Sequence, residues 1–560
     1  MHDNAQERGE IHSMSEGVRT IGSVVESLVP ASQWDAMPEW PPDVFALTAL
    51  LLKETEAFLL VVSPPAGKVW PPTSGWAAMV REVGRDWAAR LGPPAEALPH
   101  LLVESWHTLE QASEVPLDEL SQGGCWDVCL AVLTLHALAD EACAGLGTSR
   151  RRVAGSFESR AWQRLRETGS LSRLPTGRVK IVPKTHLTLG GINLRSVSRH
   201  LAAYTSHVEV TWGQARANGA GRSGEPRSTY SVLLIPWPRE VRSADFQRVG
   251  GPLLEMDRTG FGFFEFHPHQ PLDLAYVEAA LQGAARRTPS VDLMLLPEAA
   301  VLPAELGQLE ELAAKYGVVS LTTGVREPAP SATSLGRSYA HMGLWSEGRW
   351  QRVQVDKHHR WGLDANQIRQ YHLSGALPPG RLWWEAIQIP RRRLHILDME
   401  GVGPIAVLIC EDLARLDAVA DVLRFVGPTL VLALLLDGPQ LGTRWSSRYA
   451  SVLADDPGAA VLTLTSLGMA KRSRPAGHRP SRTIALWKDP NRGLHEIEMG
   501  RGALAVLLTL GKQASTAWTA DGRGHEDGAP RLVLQSATQI YPRRASAAHG
   551  APAEQAPAPR

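Results

Sequence analysis

The chain has 560 residues, with 58 basic and 58 acidic side chains and a formal net charge of zero. It is long enough for more than one domain, and its balanced charge excludes a global field that would recruit nucleic acid or an anionic membrane. Only four cysteines occur (Cys125, Cys129, Cys143 and Cys410), with no CxxC pair, and they suggest neither a disulfide framework nor a zinc site.

A reducing cytoplasm is the expected home for such a chain. Residues 1–22 are polar and lack a signal-peptide pattern. The longest apolar stretches, 128–139 and 430–436, are too short to span a bilayer. Residues 1–40 carry few core signals and are expected to be disordered. From residue 41 to 170 the pattern is helical. Asp43 stands where a cap for a helix over 44–61 belongs, and Leu47, Leu50, Leu51, Ala57 and Leu60 recur at helical spacing. Further helices are expected over 75–91, 95–112, 125–146 and 156–166. His107 and His136 are single histidines on helical faces and read as ordinary surface or core residues. This helical domain has no assigned role, although a protein partner is a possible use for it.

Residues 171–227 read as a connector and linker. Strands are expected over 179–182 and 208–212, with a helix over 193–204 between them. The Gly-rich segment 217–227 is the clearest linker in the chain. A second domain is expected over 228–510, where strands and helices alternate: strand 230–235, helix 272–286, strand 291–296, helix 304–316, strand 318–324, a strand pair over 339–344 and 349–355, a second pair over 394–398 and 405–409, strand 430–436, helix 445–453, and strands 459–465, 482–487 and 504–510. Such alternation implies a layered α/β fold. Residues 511–560 read as a mostly disordered tail with one strand-like piece at 532–534.

Three strand exits in this second domain carry chemistry. Val291-Asp292-Leu293-Met294-Leu295-Leu296-Pro297-Glu298 ends on an acid, and Val353-Gln354-Val355-Asp356-Lys357-His358-His359-Arg360-Trp361 places a lysine after a short alternating segment. Pro404-Ile405-Ala406-Val407-Leu408-Ile409-Cys410-Glu411-Asp412-Leu413 is a continuous apolar run, suited to a strand buried on both faces, that ends on a cysteine. A helical pattern follows it. Cys410 is therefore expected where a strand gives way to a helix, close to backbone N–H groups that favour a thiolate or an oxyanion.

In the order Glu, Lys, Cys, these three exits resemble the catalytic set of the nitrilase superfamily of carbon–nitrogen hydrolases. The separations of roughly sixty and roughly fifty residues each leave room for about two strand–helix units. The "ICEDL" around the cysteine is most similar to the glutaminase domain of glutamine-dependent NAD synthetases. No Ser-Gly-Gly-x-Asp-Ser pyrophosphate loop is present, so the resemblance stops at the amidase half. It implies a four-layer α–β–β–α sandwich over residues 228–510, preceded by the mostly helical domain, and a homo-oligomer formed through the sandwich's helical face. It also implies Cys410 as nucleophile, Glu298 as general base and Lys357 as stabiliser of the oxyanion, with hydrolysis of an amide or nitrile through a thioester and no metal or organic cofactor.

Many members of the superfamily place a second glutamate a few residues after the lysine, where it holds the ammonium. Here Asp364 is the only acid in that segment, and the sequence leaves open whether its shorter side chain takes that place. Trp361, Glu411, Trp445 and Arg448 are the other expected binding residues, alongside Asp364. The cluster His358-His359-Arg360 reads either as a contact for an anionic substrate or as a solvated loop. His267 and His269 lie near Glu265, but nothing in sequence completes a metal set. The alternative to an enzyme is a nitrilase-like effector or scaffold domain in a multi-domain binding protein, of the kind that occurs in bacterial defence, with the helical region recognising the partner.

Overall fold

The computed structural model describes residues 19–29, 37–92, 96–122, 124–147, 153–187, 191–215, 228–250, 260–331, 334–415, 419–474, 478–514, 516–525 and 530–543. The expected linker over 217–227 lies outside the described residues, as do residues 1–18 and the last stretch of the expected tail.

Two seven-stranded mixed sheets form the centre of the fold. In the first, the strands run in the order Arg349–Asp356, Arg337–Ser346, Ser320–Glu327, Leu293–Leu295, Thr229–Leu234, Ala505–Gln513 and Arg531–Ile540. The order in the second is Gly493–Glu498, Thr483–Asp489, Ala460–Thr465, Leu430–Leu435, Gly403–Ile409, Arg393–Met399 and Glu209–Ala215. Side chains alternate across a strand, and the first sheet uses both of its faces. Val232, Leu234, Leu293 and Leu295 join the core shared with the second sheet. Leu233, Ile235, Met294 and Leu321 instead pack with Val277, Leu281 and Leu309 of the outer helices Leu274–Ala285 and Pro303–Lys315. The helix Trp445–Asp455 packs on the second sheet against Ala460–Thr465 and Thr483–Asp489. This is the α–β–β–α sandwich.

A third, four-stranded sheet lies at the exits of the central strands. Its order is Gly362–Leu363, Leu382–Glu385, Phe261–Phe266 and Phe246–Arg248. Phe246, Phe264, Trp361 and Tyr371 form its own small aromatic core.

Helices precede the sandwich, as expected. Trp126–Ala142 is apolar on nearly every face and lies at the centre of Pro41–Thr55, Trp76–Arg90 and His100–Gln111, as a helix apolar all round must. His136 on this helix is a core residue, hydrogen-bonded to Thr48 at 3.0 Å and stacked on Phe45.

Several expected boundaries do not hold. Residues 21–26, inside the stretch expected to be disordered, form a helix capped by Thr20 that buries Ile21, Val24 and Val25. No long helix fills 193–204; a short turn Leu194–Val197 is followed by a strand Leu201–Tyr204, which pairs with Lys180–Pro183. The strand Glu209–Ala215, assigned to the connector, pairs in parallel with Arg393–Met399 and completes the second sheet. The tail is also structured: Arg531–Ile540 forms an edge strand on Ala505–Gln513, and Ile540 is buried among the outer helices.

The helical region and the sandwich share one continuous apolar core, running from Leu47 and Leu138 through Trp162 and Trp212 to Ile405 and Leu432. A buried charge cluster joins them as well. The guanidinium of Arg523, from the tail, donates to Asp140 at 3.0 Å, Glu141 at 2.8 Å and Asp521 at 2.9 Å. Asp140 in turn accepts the backbone N–H groups of Arg199, His200 and Leu201. No helix among the described residues is long and apolar enough to cross a membrane.

Candidate active site

Three side chains that are far apart in sequence meet at the strand exits. Leu293–Leu295 runs out through Leu296 and Pro297 to Glu298, which is 1 % exposed. The turn is clamped by backbone hydrogen bonds. Gly324 N–H donates to Pro297 C=O at 3.0 Å, and its carbonyl accepts from Ala300 N–H at 3.0 Å. A Cβ on Gly324 would lie 2.4 Å from Glu298 Cα, so only glycine fits there. Lys357 follows the strand Arg349–Asp356 and is held at its backbone by Ser338 C=O. Its Nζ, also buried, donates to Glu298 Oε1 at 2.7 Å.

Cys410 terminates Gly403–Ile409 and opens a short 3₁₀ turn, Cys410–Leu413. Its φ of 47° lies in the left-handed region, unusual for a residue with a Cβ. Strain of that kind persists only where the surroundings impose it, and it clusters at functional sites. The sulfur lies within electrostatic reach of the Glu298 carboxyl group and the Lys357 ammonium, and Glu298 Oε2 is buried with no hydrogen-bond partner among the described residues.

Asp364 does not take the place of the second glutamate. It is exposed and caps the helix Ala365–Gln370, accepting Gln367 N–H at 2.7 Å. The second carboxylate on Lys357 comes from Glu385, at the end of the strand Leu382–Glu385 in the small sheet. Glu385 Oε2 also accepts Trp361 N–H at 3.2 Å. Trp361 thus serves the site through its backbone, while its ring is buried among Phe246, Phe264 and Tyr371.

The remaining expected binding residues are spread out. Glu411 is half-buried and pairs with Arg415. Arg448 is exposed on the surface. Trp445 donates its Nε1–H to Asp437 at 2.9 Å. Asp437, which the sequence did not single out, is two residues past the strand beside Cys410, and its carboxylate also accepts from Tyr371 and from Arg444. Asp412 was likewise missed. It accepts His358 N–H at 3.1 Å and pairs with His359 Nδ1 at 2.9 Å, tying the turn that begins at Cys410 to the loop after Lys357. With Arg360 donating to Ile387 C=O, the whole His358-His359-Arg360 cluster serves as loop scaffolding.

His267 and His269 pair with Glu265 and Asp245 respectively. No group of three potential ligands gathers among the described residues.

Burial raises the pKa of Glu298, and although Lys357 opposes that shift, the nearby Glu385 charge adds to it. Burial also pushes the Cys410 thiol well up, reinforced by the Glu298 charge. Burial works against the Lys357 ammonium, but Glu298 and Glu385 outweigh it and hold the lysine charged. The resting site is therefore a neutral thiol beside a carboxyl group of elevated pKa and a permanent cation. A carboxyl group with its pKa raised to about 7 can take up and release a proton near neutrality.

No protein-family model and no curated protein sequence matches this chain. Among solved structures, Nit3 of Saccharomyces cerevisiae, a member of branch 10 of the nitrilase superfamily, is similar at 15% identity over 48% of this chain and 86% of its own, with a TM-score of 0.29. The NitFhit protein of C. elegans is similar at 12% identity over 49% of this chain and 62% of its own, with a TM-score of 0.32. A glutamine-dependent NAD(+) synthetase from Cytophaga hutchinsonii is similar at 13% identity over 50% of this chain and 43% of its own, with a TM-score of 0.27. The chain spans less than two thirds of the length of these last two proteins.

Proposed function

We propose that the chain hydrolyses a non-peptide carbon–nitrogen bond, that of a linear amide, with Cys410 as nucleophile. The observation that carries this reading is the convergence of Glu298, Lys357 and Cys410 from three separate strand exits into one buried cluster. An amide carbon is a poor electrophile. It needs a thiolate to attack it and a positive group to hold the oxygen that becomes negative.

In the proposed cycle Glu298 takes the Cys410 proton as sulfur bonds to the carbonyl carbon. The oxygen, now carrying the electron pair of the broken π bond, is stabilised by the Lys357 ammonium. Glu298 then returns the proton to the nitrogen, and the C–N bond breaks to release ammonia or an amine. The resulting thioester is opened by a water that Glu298 deprotonates, and the proton returns to the Cys410 sulfur as the acid leaves. Glu385 touches no reacting atom in this scheme; it positions Lys357. The balance of atoms and charge calls for no metal and no organic cofactor. A nitrile enters the same cycle through a thioimidate, by addition of one more water.

The test is ammonia release from a panel of short amides and nitriles by the full chain. Turnover that disappears in Cys410→Ala and Glu298→Gln supports the proposal. Turnover that survives Cys410→Ala removes it.

A further inference from the structure

A small pocket, open to solvent on one side, lies beside the Lys357–Glu385 pair. Its wall includes Glu385, which holds Lys357, and Ala299, the residue after Glu298. Phe264 and Phe266 contribute apolar surface, and the charged groups of the wall pair off one by one. Glu385 is engaged by Lys357, and Glu327 lies 3.4 Å from Arg337, which also reaches Asp356 at 2.9 Å. Glu265 lies 2.6 Å from His267 Nε2.

Arg326 has no such partner. Among the described residues its guanidinium meets one side chain, Nη1 against His267 Nδ1 at 3.3 Å, and its Nε is buried without a hydrogen bond. In that contact Nη1 donates and Nδ1 accepts, and an imidazole carries no negative charge to balance the guanidinium. Three carboxylates, Glu305, Asp245 and Glu265, are close enough for their charge to be felt by Arg326, and each accepts from other donors, Glu265 from His267. Glu305 accepts Leu272 N–H and Leu302 N–H, each at 2.8 Å. Asp245 accepts Arg242 N–H at 2.8 Å and lies 3.1 Å from His269 Nδ1.

A half-buried guanidinium with unused N–H groups, in a pocket whose wall also carries phenyl rings, paired charges and the buried hydroxyl of Ser338, unpartnered among the described residues, matches the planar oxygens of a carboxylate or phosphate. We propose that this pocket is an oxyanion-binding site in which Arg326 receives the carboxylate or phosphate of a small molecule, next to the Lys357–Glu385 pair. The anion has two sources. It is the far end of an amide substrate, in which case the inference rests on the hydrolase reading and narrows the substrate to anionic amides; or it is a separate small anion seated against the lysine's second carboxylate.

Binding is measured first, by calorimetry on the full chain with succinate and with inorganic phosphate as probes, so that it does not depend on turnover. The wild type binds at least one of them, and Arg326→Gln weakens that binding by at least about tenfold, as expected for loss of a charge-assisted bidentate contact. Arg326→Lys, which keeps the charge but not the fork, falls between. Unchanged circular dichroism and unfolding midpoint show that the variants are folded. The sources are then separated by ammonia release from succinamate and from neutral butyramide. A substrate subsite raises KM for succinamate in Arg326→Gln and leaves butyramide unaffected. A separate site lets succinate change butyramide turnover without competing, and Arg326→Gln abolishes that effect. A wild type that binds neither probe, or an Arg326→Gln chain that binds as the wild type does, overturns the proposal. Absence of any turnover removes the hydrolase reading and leaves the binding result standing.

Discussion

The carboxylate of Glu385 hydrogen-bonds the ammonium of Lys357, 28 residues earlier in the chain. Lys357 thereby bridges two carboxylates that have opposite relations to the proposed chemistry. Glu298 must gain and lose a proton, whereas Glu385 must stay charged to hold the lysine. Each neighbour moves the Glu298 proton in a defined direction: the Lys357 charge lowers its pKa, and the Glu385 charge raises it.

The acidic limb of the pH–rate profile reports Glu298, because activity falls as the pH drops through the raised pKa of the base. Glu385→Gln removes the charge that disfavours the Glu298 carboxylate, so this limb should move to lower pH. Lys357→Met removes the charge that favours it, so the limb should move to higher pH. The lysine variant should also lose about 10²–10³ in rate at the plateau, the usual cost of removing one oxyanion donor. Opposite displacements in the two variants are the expected result. A limb that stays in place in both would mean that Glu298 is not the base.

Gly324 tests how tightly the base is positioned. An added Cβ would lie 2.4 Å from Glu298 Cα and 2.7 Å from Ala299 N, both backbone atoms that cannot swing aside. Gly324→Ala should destabilise the fold by about 1–3 kcal/mol. It should also lower kcat by displacing Glu298. Thermal unfolding together with kinetics checks both effects, and an alanine variant with wild-type kcat would show that the clamp plays no part in catalysis.

Much of the sandwich was legible because its strands are continuous apolar runs, and a run such as 405–409 has few folded alternatives to burial between two layers. Glu298 and Cys410 each follow such a run, whereas Lys357 follows the alternating, partly exposed strand Arg349–Asp356 and was legible only from its place in the Glu, Lys, Cys order. Glu385 was not legible. It ends the four-residue strand Leu382–Glu385, whose parallel partner is Phe261–Phe266, more than a hundred residues away, and nothing local announces that pairing. Asp364 did carry a local signal that points away from the lysine: Asp364-Ala365-Asn366-Gln367 is a capping-box pattern, and the structure uses it as one. The edge strand Arg531–Ile540 was largely hidden because its middle is polar and exposed, with burial concentrated at its two ends.

Arg523 carries the largest expected effect on stability. Its fully buried guanidinium is surrounded by Asp140, Glu141 and Asp521, and Arg523→Met would leave these acids without their cation. Breaking a buried charge cluster in this way typically costs about 3–5 kcal/mol. Denaturant unfolding should show a loss of this size, and a loss below about 1 kcal/mol would show that the acids are compensated from elsewhere.

The strand Glu209–Ala215 precedes the 217–227 segment yet completes a sheet of the sandwich, and one apolar core runs across both regions. A single proteolytic cut within 217–227 should therefore leave two fragments that travel together on size exclusion and separate only in denaturant. Fragments that part under native conditions would show that the two regions are stable independently.

General alkylation does not identify the nucleophile, because Cys125 is more exposed than the buried, neutral Cys410 thiol and should react first with iodoacetamide. The acyl group of a substrate should distinguish them. The full chain is mixed with a panel of short amides, quenched in acid within the first turnovers, and analysed by intact mass and peptide mapping. The expected result is an acyl mass increment, with ammonia lost, on the peptide that contains Cys410, and no increment in Cys410→Ala. Amide turnover with no acyl group on any cysteine, or an acyl group carried by Cys125, Cys129 or Cys143, would contradict the assignment of Cys410 as the nucleophile.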